Sequence, residues 1–162
     1  MTQYSEARAD GGQSASGDAW THHDVWPNYL LGGYFDAAGD LRPQYVSRSR
    51  VEPLAKKLAG GNLTMNQLRR FFQHCRAIEA RLKAAAEPAA AWRAAEADFR
   101  KLDVAAADAF GKREQKIPEL FHDFIRTNVA AVHTESDFLR GFLPHFEALV
   151  GFGSLHIKDH RS

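Results

Sequence analysis

The sequence is poor in the residues that mark secreted, membrane-spanning or thiolate-metal proteins. Only one of its 162 residues is a cysteine, Cys75, which excludes a disulfide framework within the chain and a zinc site built from several thiolates. No stretch approaches the roughly 18 consecutive apolar residues of a membrane span, and the N-terminal residues are polar where a targeting peptide is basic and then apolar. We therefore expect a soluble, cytoplasmic protein with no membrane partner and no targeting segment.

Catalytic motifs are also missing. The sequence contains no glycine-rich phosphate loop, no nucleophile elbow and no paired-carboxylate motif. Among its eight histidines, His22-His23 and the pair His156 and His160 lack the companion ligands of a zinc site. Four others fall in predicted helices and are interpreted as surface or capping groups, since proton transfer requires positioned partners. These four are His74, His122, His133 and His145. Cys75 lies on an apolar stripe and is interpreted as a core residue, so we predict no catalytic residue, metal or cofactor.

Positive charge is concentrated in one quarter of the chain. The whole sequence has a net charge of +1, which favours no class of partner. Residues 46–83, however, carry nine Lys and Arg against two Glu, a net of +7, whereas residues 1–45 have −4 and residues 84–162 have −2. The segment 46–83 is therefore where an anionic partner is to be sought.

The composition divides the chain into four parts around one domain. Residues 1–19 have almost nothing to bury and are predicted to be a disordered tail. Residues 20–45 place aromatic side chains among turn-forming residues, which is typical of an irregular arm that packs on the core or on a neighbouring molecule. Its aromatic residues are Trp20, Trp26, Tyr29, Tyr34, Phe35 and Tyr45. Residues 46–152 are predicted to form a helical domain, followed by a polar tail at 153–162.

Capping signals delimit the first two predicted helices. Ser49-x-x-Glu52 reads as a capping box for a helix over about 49–59, which Gly60-Gly61 ends. Thr64-x-x-Gln67 reads as the box of the second helix, whose apolar residues recur at i, i+3 and i+4 until Pro88.

Three further apolar stripes complete the helical pattern. The third ends at Gly111, and the fourth begins at Pro118. The fifth is capped by Thr134 and continues across Gly141 and Pro144, where the helix should kink or divide. We predict an all-α fold, a compact bundle of about five helices with an irregular aromatic N-terminal arm.

Basic residues of the second helix are placed on its surface. Arg69, Arg76 and Lys83 are seven residues apart and form a line of about 21 Å along one side, with Arg70, His74 and Arg81 beside it. Lys56 and Lys57 precede the Gly60-Gly61 turn. Such a surface can contact a run of phosphates without reading bases. The alternative is a solvated helix face.

A second basic cluster lies between the third and fourth helices. It contains Lys112, Arg113 and Lys116, interrupted by Glu114. We assign it a phosphate-binding role only if the fold brings it near the second helix, since by itself it is a polar loop at a helix C-terminus.

Four segments, in this order and spacing, resemble a known family. They are GYFD at 33–36 with GDLR at 39–42, LAKKL at 54–58, LTMNQLRRF at 63–71, and HFEALVGF at 145–152. The chain resembles the small subunit of type III-A CRISPR interference complexes, the Csm type, over about residues 33–152. Two departures stand out: residues 104–107 are Val-Ala-Ala-Ala where the family often has basic and tyrosine side chains, and Gly151-Phe152-Gly153 replaces the usual closing residues.

The resemblance implies a non-catalytic subunit for antiviral defence, present in several copies that stack along the complex. Its partners would be the guide RNA, the target RNA, other subunits of the complex and further copies of itself. Target cleavage would belong to another subunit. Arg69 is the residue best carried over from the family motif, and Lys112 with Arg113 would substitute for the contacts that residues 104–107 lack.

Together these observations predict an RNA-binding surface. Its residues are Arg69, Arg70, Arg76, Lys83, Lys56, Lys57, Lys112 and Arg113. A helical protein-interaction scaffold without RNA contact is the alternative, and an RNA-cleaving enzyme that uses histidines is a third hypothesis. Salt dependence separates the first two, because phosphate binding releases counterions and apolar docking does not.

Overall fold

Five main helices build the structure, a computed structural model that describes residues 22–112 and 115–159. They are α1 (Arg48–Ala59), α2 (Met65–Ala84), α3 (Pro88–Gly111), α4 (Glu119–Ala131) and α5 (Leu143–Gly153). A single helical turn, His22–Val25, and a 3-10 turn, Pro43–Val46, precede α1. Over the described residues the only β-type pairing is one isolated bridge between Phe35 and Leu41. The predicted all-α bundle of five helices is confirmed, whereas the predicted tail 1–19 lies outside the described residues.

The start of α1 differs from the predicted capping box. The N-cap is Ser47, and its side chain makes no capping hydrogen bond. Because the helix begins at Arg48, Ser49 lies inside it. Glu52, the predicted partner of Ser49, instead accepts from Arg48 at 3.3 Å and contacts His156 at 2.7 Å. The predicted capping box at Ser49 is therefore wrong. The helix begins one residue before Ser49, and the Glu52 carboxylate binds Arg48 and His156 instead.

The capping box of α2 is confirmed. The Gln67 backbone N–H donates to Thr64 Oγ1 at 3.2 Å, and the Thr64 N–H donates to Gln67 Oε1 at 2.9 Å. Two donors that the first helical turn leaves unpaired are thereby satisfied. The inward face of α2 is buried from Met65 to Leu82.

The helices enclose a core rich in phenylalanine. α3 packs against both α2 and α4, and α5 packs against α1 and α2. The core includes the fully buried rings Phe99, Phe121, Phe124, Phe138, Phe142 and Phe146. Phe72 of α2 meets Phe146 edge to face at 5.3 Å, and the half-buried Phe71 meets Phe121 at 5.1 Å.

The predicted break before α5 takes the form of a π-helical segment, Asp137–Phe142. Thr134 caps the helical turn that leads into this segment, because its Oγ1 accepts from the Asp137 N–H at 3.0 Å. Gly141 lies in this segment, and a Cβ there would come within 2.7 Å of the Tyr34 ring. The glycine therefore allows the arm to lie directly against the helix backbone.

The arm packs on the core of its own chain. Trp26, Tyr29, Tyr34 and Tyr45 are buried, and Trp20 lies outside the described residues. This arrangement places the hydroxyl groups of Tyr29 and Tyr34 beside polar side chains of α4 and α5.

A buried polar network joins the arm to the bundle. The Tyr34 hydroxyl donates to Asn128 Oδ1 at 2.7 Å, and Asn128 Nδ2 donates to the Tyr29 hydroxyl at 2.8 Å. Tyr29 in turn lies 2.6 Å from Nε2 of His145, whose Nδ1 lies 2.6 Å from the Tyr45 carbonyl oxygen. Since a carbonyl only accepts, Nδ1 carries the proton and Nε2 accepts from Tyr29. His145 is fully buried, so the interpretation of this histidine as a surface or capping group is wrong. The same burial lowers its pKa to about 4.

The segment after α5 folds back on the bundle as far as residue 159. Ile157 is buried, and the Lys158 carbonyl accepts from the Met65 N–H at 2.7 Å, at the start of α2. His156 reaches Glu52 of α1. This return brings Asp159 beside the basic face of α2.

Candidate nucleic-acid interface

The predicted line of cations on α2 is exposed and already paired with carboxylates. Arg69 Nη1 lies 3.3 Å from Asp159 Oδ1. Arg76 and Lys83 share one partner, Glu79, at 3.3 Å and 2.9 Å. The line therefore presents three positive charges against two negative ones, which sequence spacing alone did not reveal.

These ion pairs leave the cations able to bind another anion. The side chains of Arg69 and Lys83 are 50% and 67% exposed, whereas their partners Asp159 and Glu79 are 67% and 15% exposed. The pair of Arg69 with Asp159 is therefore exposed on both sides, and such a pair contributes at most about 1 kcal/mol. A phosphate can thus replace the Asp159 carboxylate at little cost. Arg76 also lies over the Phe72 ring, 5.8 Å from its centroid.

A second row of basic side chains on α2 faces α3. Arg81 Nη1 donates to Asp98 Oδ2 at 2.7 Å, and His74 Nε2 donates to the Asp98 carbonyl at 2.7 Å. Lys101 Nζ lies 3.6 Å from the other carboxylate oxygen of Asp98. The hydrogen bond from Arg81, with weaker attraction from Lys101, holds the pKa of Asp98 below its usual range. Sequence reasoning missed Lys101, although its position on the face of α3 toward α2 could be read from the apolar stripe of α3.

Arg70 differs from its neighbours because it pairs with no carboxylate among the described residues. It is exposed at the edge of a groove of about 160 Å³ between α2 and α3. The other lining residues are Phe71, His74, Lys101, Leu102 and Ala105.

The loop between α3 and α4 meets the beginning of α2. Gln67 Nε2 donates to the Lys116 carbonyl at 2.8 Å, and Asn62 Nδ2 donates to the Gln115 carbonyl at 2.6 Å. A Cβ on Gly61 would lie 2.9 Å from Pro118 Cβ. The loop therefore lies close to α2. This proximity is what a phosphate-binding role for the basic residues of the loop requires.

The individual cations at this end of the bundle have different surroundings. Lys112 is exposed and pairs with Asp108 at 3.0 Å, whereas Arg113 lies outside the described residues. Lys56 and Lys57 are exposed in the last turn of α1, just before the turn that the loop contacts. The fold thus gathers three predicted basic elements, the end of α1, the start of α2 and the loop, at one end of the molecule.

The described part of the chain keeps its possible metal ligands apart. It contains no group of three or more His, Cys, Asp or Glu that could hold a metal. Burial raises the pKa of the Cys75 thiol far above its usual value, so the thiol stays protonated at neutral pH. No helix in the described ranges is long and apolar enough to cross a membrane.

Comparison with known proteins points to one family. A family model described as Csm2 Type III-A matches residues 45–158, more than two thirds of the chain. The match includes all five helices, the basic face of α2 and the loop before α4. No curated protein and no solved structure matches the chain.

Proposed function

The chain belongs to the Csm2 family of type III-A CRISPR small subunits, and we propose that it holds guide and target RNA on the basic face of α2. In this role it is a non-catalytic part of the effector complex, and several copies stack side by side. The observation that carries the proposal is the line Arg69, Arg76 and Lys83, exposed along about 21 Å of one helix.

The chemistry of this line suits phosphates rather than bases. Guanidinium and ammonium groups bind phosphate oxygens whatever the sequence. We therefore expect binding that tolerates any RNA sequence. Because the carboxylates of Glu79 and Asp159 must be displaced, each copy contributes weakly and several copies act together.

Exposed apolar side chains support contact with neighbouring subunits. Leu31, Val104 and Leu155 are 74%, 67% and 59% exposed. Large apolar side chains at these fractions gain from being covered. They also favour the alternative function, a scaffold that docks proteins and leaves RNA to its neighbours.

The test replaces the cations in the assembled complex. Changing Arg69, Arg76 and Lys83 together to Gln keeps helix propensity nearly constant and leaves the buried face of α2 intact. Target RNA should bind at least tenfold more weakly, about 1.4 kcal/mol, and the salt dependence should decrease since fewer counterions are released. Arg69→Gln alone should account for the largest share.

Arg93→Gln is the matched control for Arg69→Gln. Arg93 is exposed on α3 and lies seven residues before Arg100, which binds the Val129 and Val132 carbonyls beside α4. It therefore faces away from α2. Equal RNA affinity and salt dependence for the wild-type and triple-variant complexes would retire the proposal and favour the scaffold.

A further inference from the structure

The groove between α2 and α3 combines an apolar floor with a cationic rim. Phe71, Leu102 and Ala105 supply the floor, and Arg70 and Lys101 stand on opposite helices. The line along α2 does not account for it, because Arg70 lies on the other flank of α2, about 100° around the helix from Arg69.

The charges at its edge are available to a ligand. Arg70 pairs with no carboxylate among the described residues, and Lys101 approaches Asp98 only to 3.6 Å. His74 is oriented by its hydrogen bond to the Asp98 carbonyl, so it forms a fixed wall. The rim is therefore net positive, because within the described ranges Arg70 and Lys101 have only the Asp98 carboxylate between them, and Asp98 also binds Arg81.

We propose that this groove receives one unpaired nucleotide of RNA, with its base on Phe71, Leu102 and Ala105 and its phosphate between Arg70 and Lys101. The inference rests on the proposed function and adds a nucleotide-sized site to it. Unstacked bases are commonly held on aromatic or guanidinium planes, and such stacking tolerates any base because every base has a flat π-face.

Charge and size favour a nucleotide over an acidic protein segment. A rim of cations over an apolar floor matches a phosphate joined to a flat ring, and the groove of about 160 Å³ is too small for a docked helix, whose diameter is about 10 Å. An extended acidic peptide would satisfy the rim but leave the floor uncovered.

The experiment uses the full chain with labelled Ala and Leu methyl groups and follows them by NMR. Uridine monophosphate and adenosine monophosphate are titrated to about 10 mM, enough to detect a Kd near 1 mM. Both should shift the methyl groups of Leu102 and Ala105, whereas ribose 5-phosphate should shift them much less. Ala105→Leu, which fills the groove, should abolish the shift at Leu102, and Ala107→Leu, at an exposed α3 position outside the groove, should leave it unchanged.

The possible outcomes test the nucleotide site independently of the proposed RNA-binding role of α2. If neither nucleotide moves these methyl groups, or ribose 5-phosphate moves them equally, the base site is wrong even where the complex shows the expected loss with the triple variant. If an oligoglutamate peptide shifts them and the nucleotides do not, the groove binds an acidic protein segment and the inference is overturned. If the nucleotides bind but the triple variant keeps wild-type RNA affinity, the nucleotide site in the groove is supported and the RNA-binding role of Arg69, Arg76 and Lys83 is wrong.

Discussion

Protonation of His145 should destabilise the fold well above the pH at which carboxylates titrate. Burial among aromatic rings lowers its pKa from 6.5 to about 4. The folded protein therefore binds fewer protons at this site than the unfolded chain does, so stability falls as pH drops from about 6.5 toward 4. Over the whole window the loss is about 3 kcal/mol, and between pH 7 and pH 5 it is about 2 kcal/mol.

Urea unfolding at pH 7 and pH 5 measures this loss directly. The carboxylates of Glu52 and Asp98 also have lowered pKa values, set chiefly by hydrogen bonds from His156 and Arg81. Their contributions are lost only below the ordinary carboxyl range, so at pH 5 the effect of His145 dominates.

His145→Gln supplies the comparison. The variant should be less stable at pH 7, since it leaves Tyr29 and the Tyr45 carbonyl without their partner, but its stability should change about 2 kcal/mol less between pH 7 and pH 5. An NMR titration of the wild-type imidazole should show it neutral down to about pH 4. A wild-type protein equally stable at both pH values, or a variant that keeps the wild-type pH dependence, would refute the reasoning.

Three further outcomes follow from the packing and the charges. Phe72→Ala should lower the free energy of unfolding by about 3–5 kcal/mol, and Phe71→Ala, at a half-buried position, by less. Thermal melts that match wild type for both variants would contradict the packing of these rings in the core of the bundle. Gly141→Ala should cost about 1–3 kcal/mol because its methyl would meet the Tyr34 ring, and a melt at or above the wild-type temperature would show that the arm can move aside. Glu79→Gln should strengthen RNA binding by the assembled complex and steepen its salt dependence, because two cations lose their internal partner; unchanged binding in a salt titration would show that these cations do not meet phosphate.

Helix identity was predictable because the local signals agree with the tertiary structure. The Thr64 box, the apolar spacing of α2 and the glycine at 111 each act within a few residues, so they can be read from sequence. The error at Ser49 has the opposite origin. Glu52 could have capped its own helix, yet His156, more than a hundred residues later, takes its carboxylate.

The positions of the cations on the surface of α2 were also predictable, whereas the carboxylates that pair with them were not. Seven-residue spacing correctly places Arg69, Arg76 and Lys83 on one exposed flank. Asp159 reaches Arg69 only because the chain after α5 returns to the start of α2, a contact that has no local signal. The groove at Arg70 likewise requires the packing of α3 on α2.

The structure separates the interactions that hold the fold from those available for binding. The arm is fixed by buried hydroxyl, amide and imidazole groups, and leaving one of these without a partner costs about 1–3 kcal/mol. The cations of α2 are instead about half exposed or more, and the pair of Arg69 with Asp159, exposed on both sides, contributes at most about 1 kcal/mol. Substitutions of these cations therefore change the electrostatic surface with little effect on stability, whereas changes at Asn128 or His145 lower the stability of the fold itself. A loss of RNA binding in the α2 variants can for this reason be assigned to the surface itself.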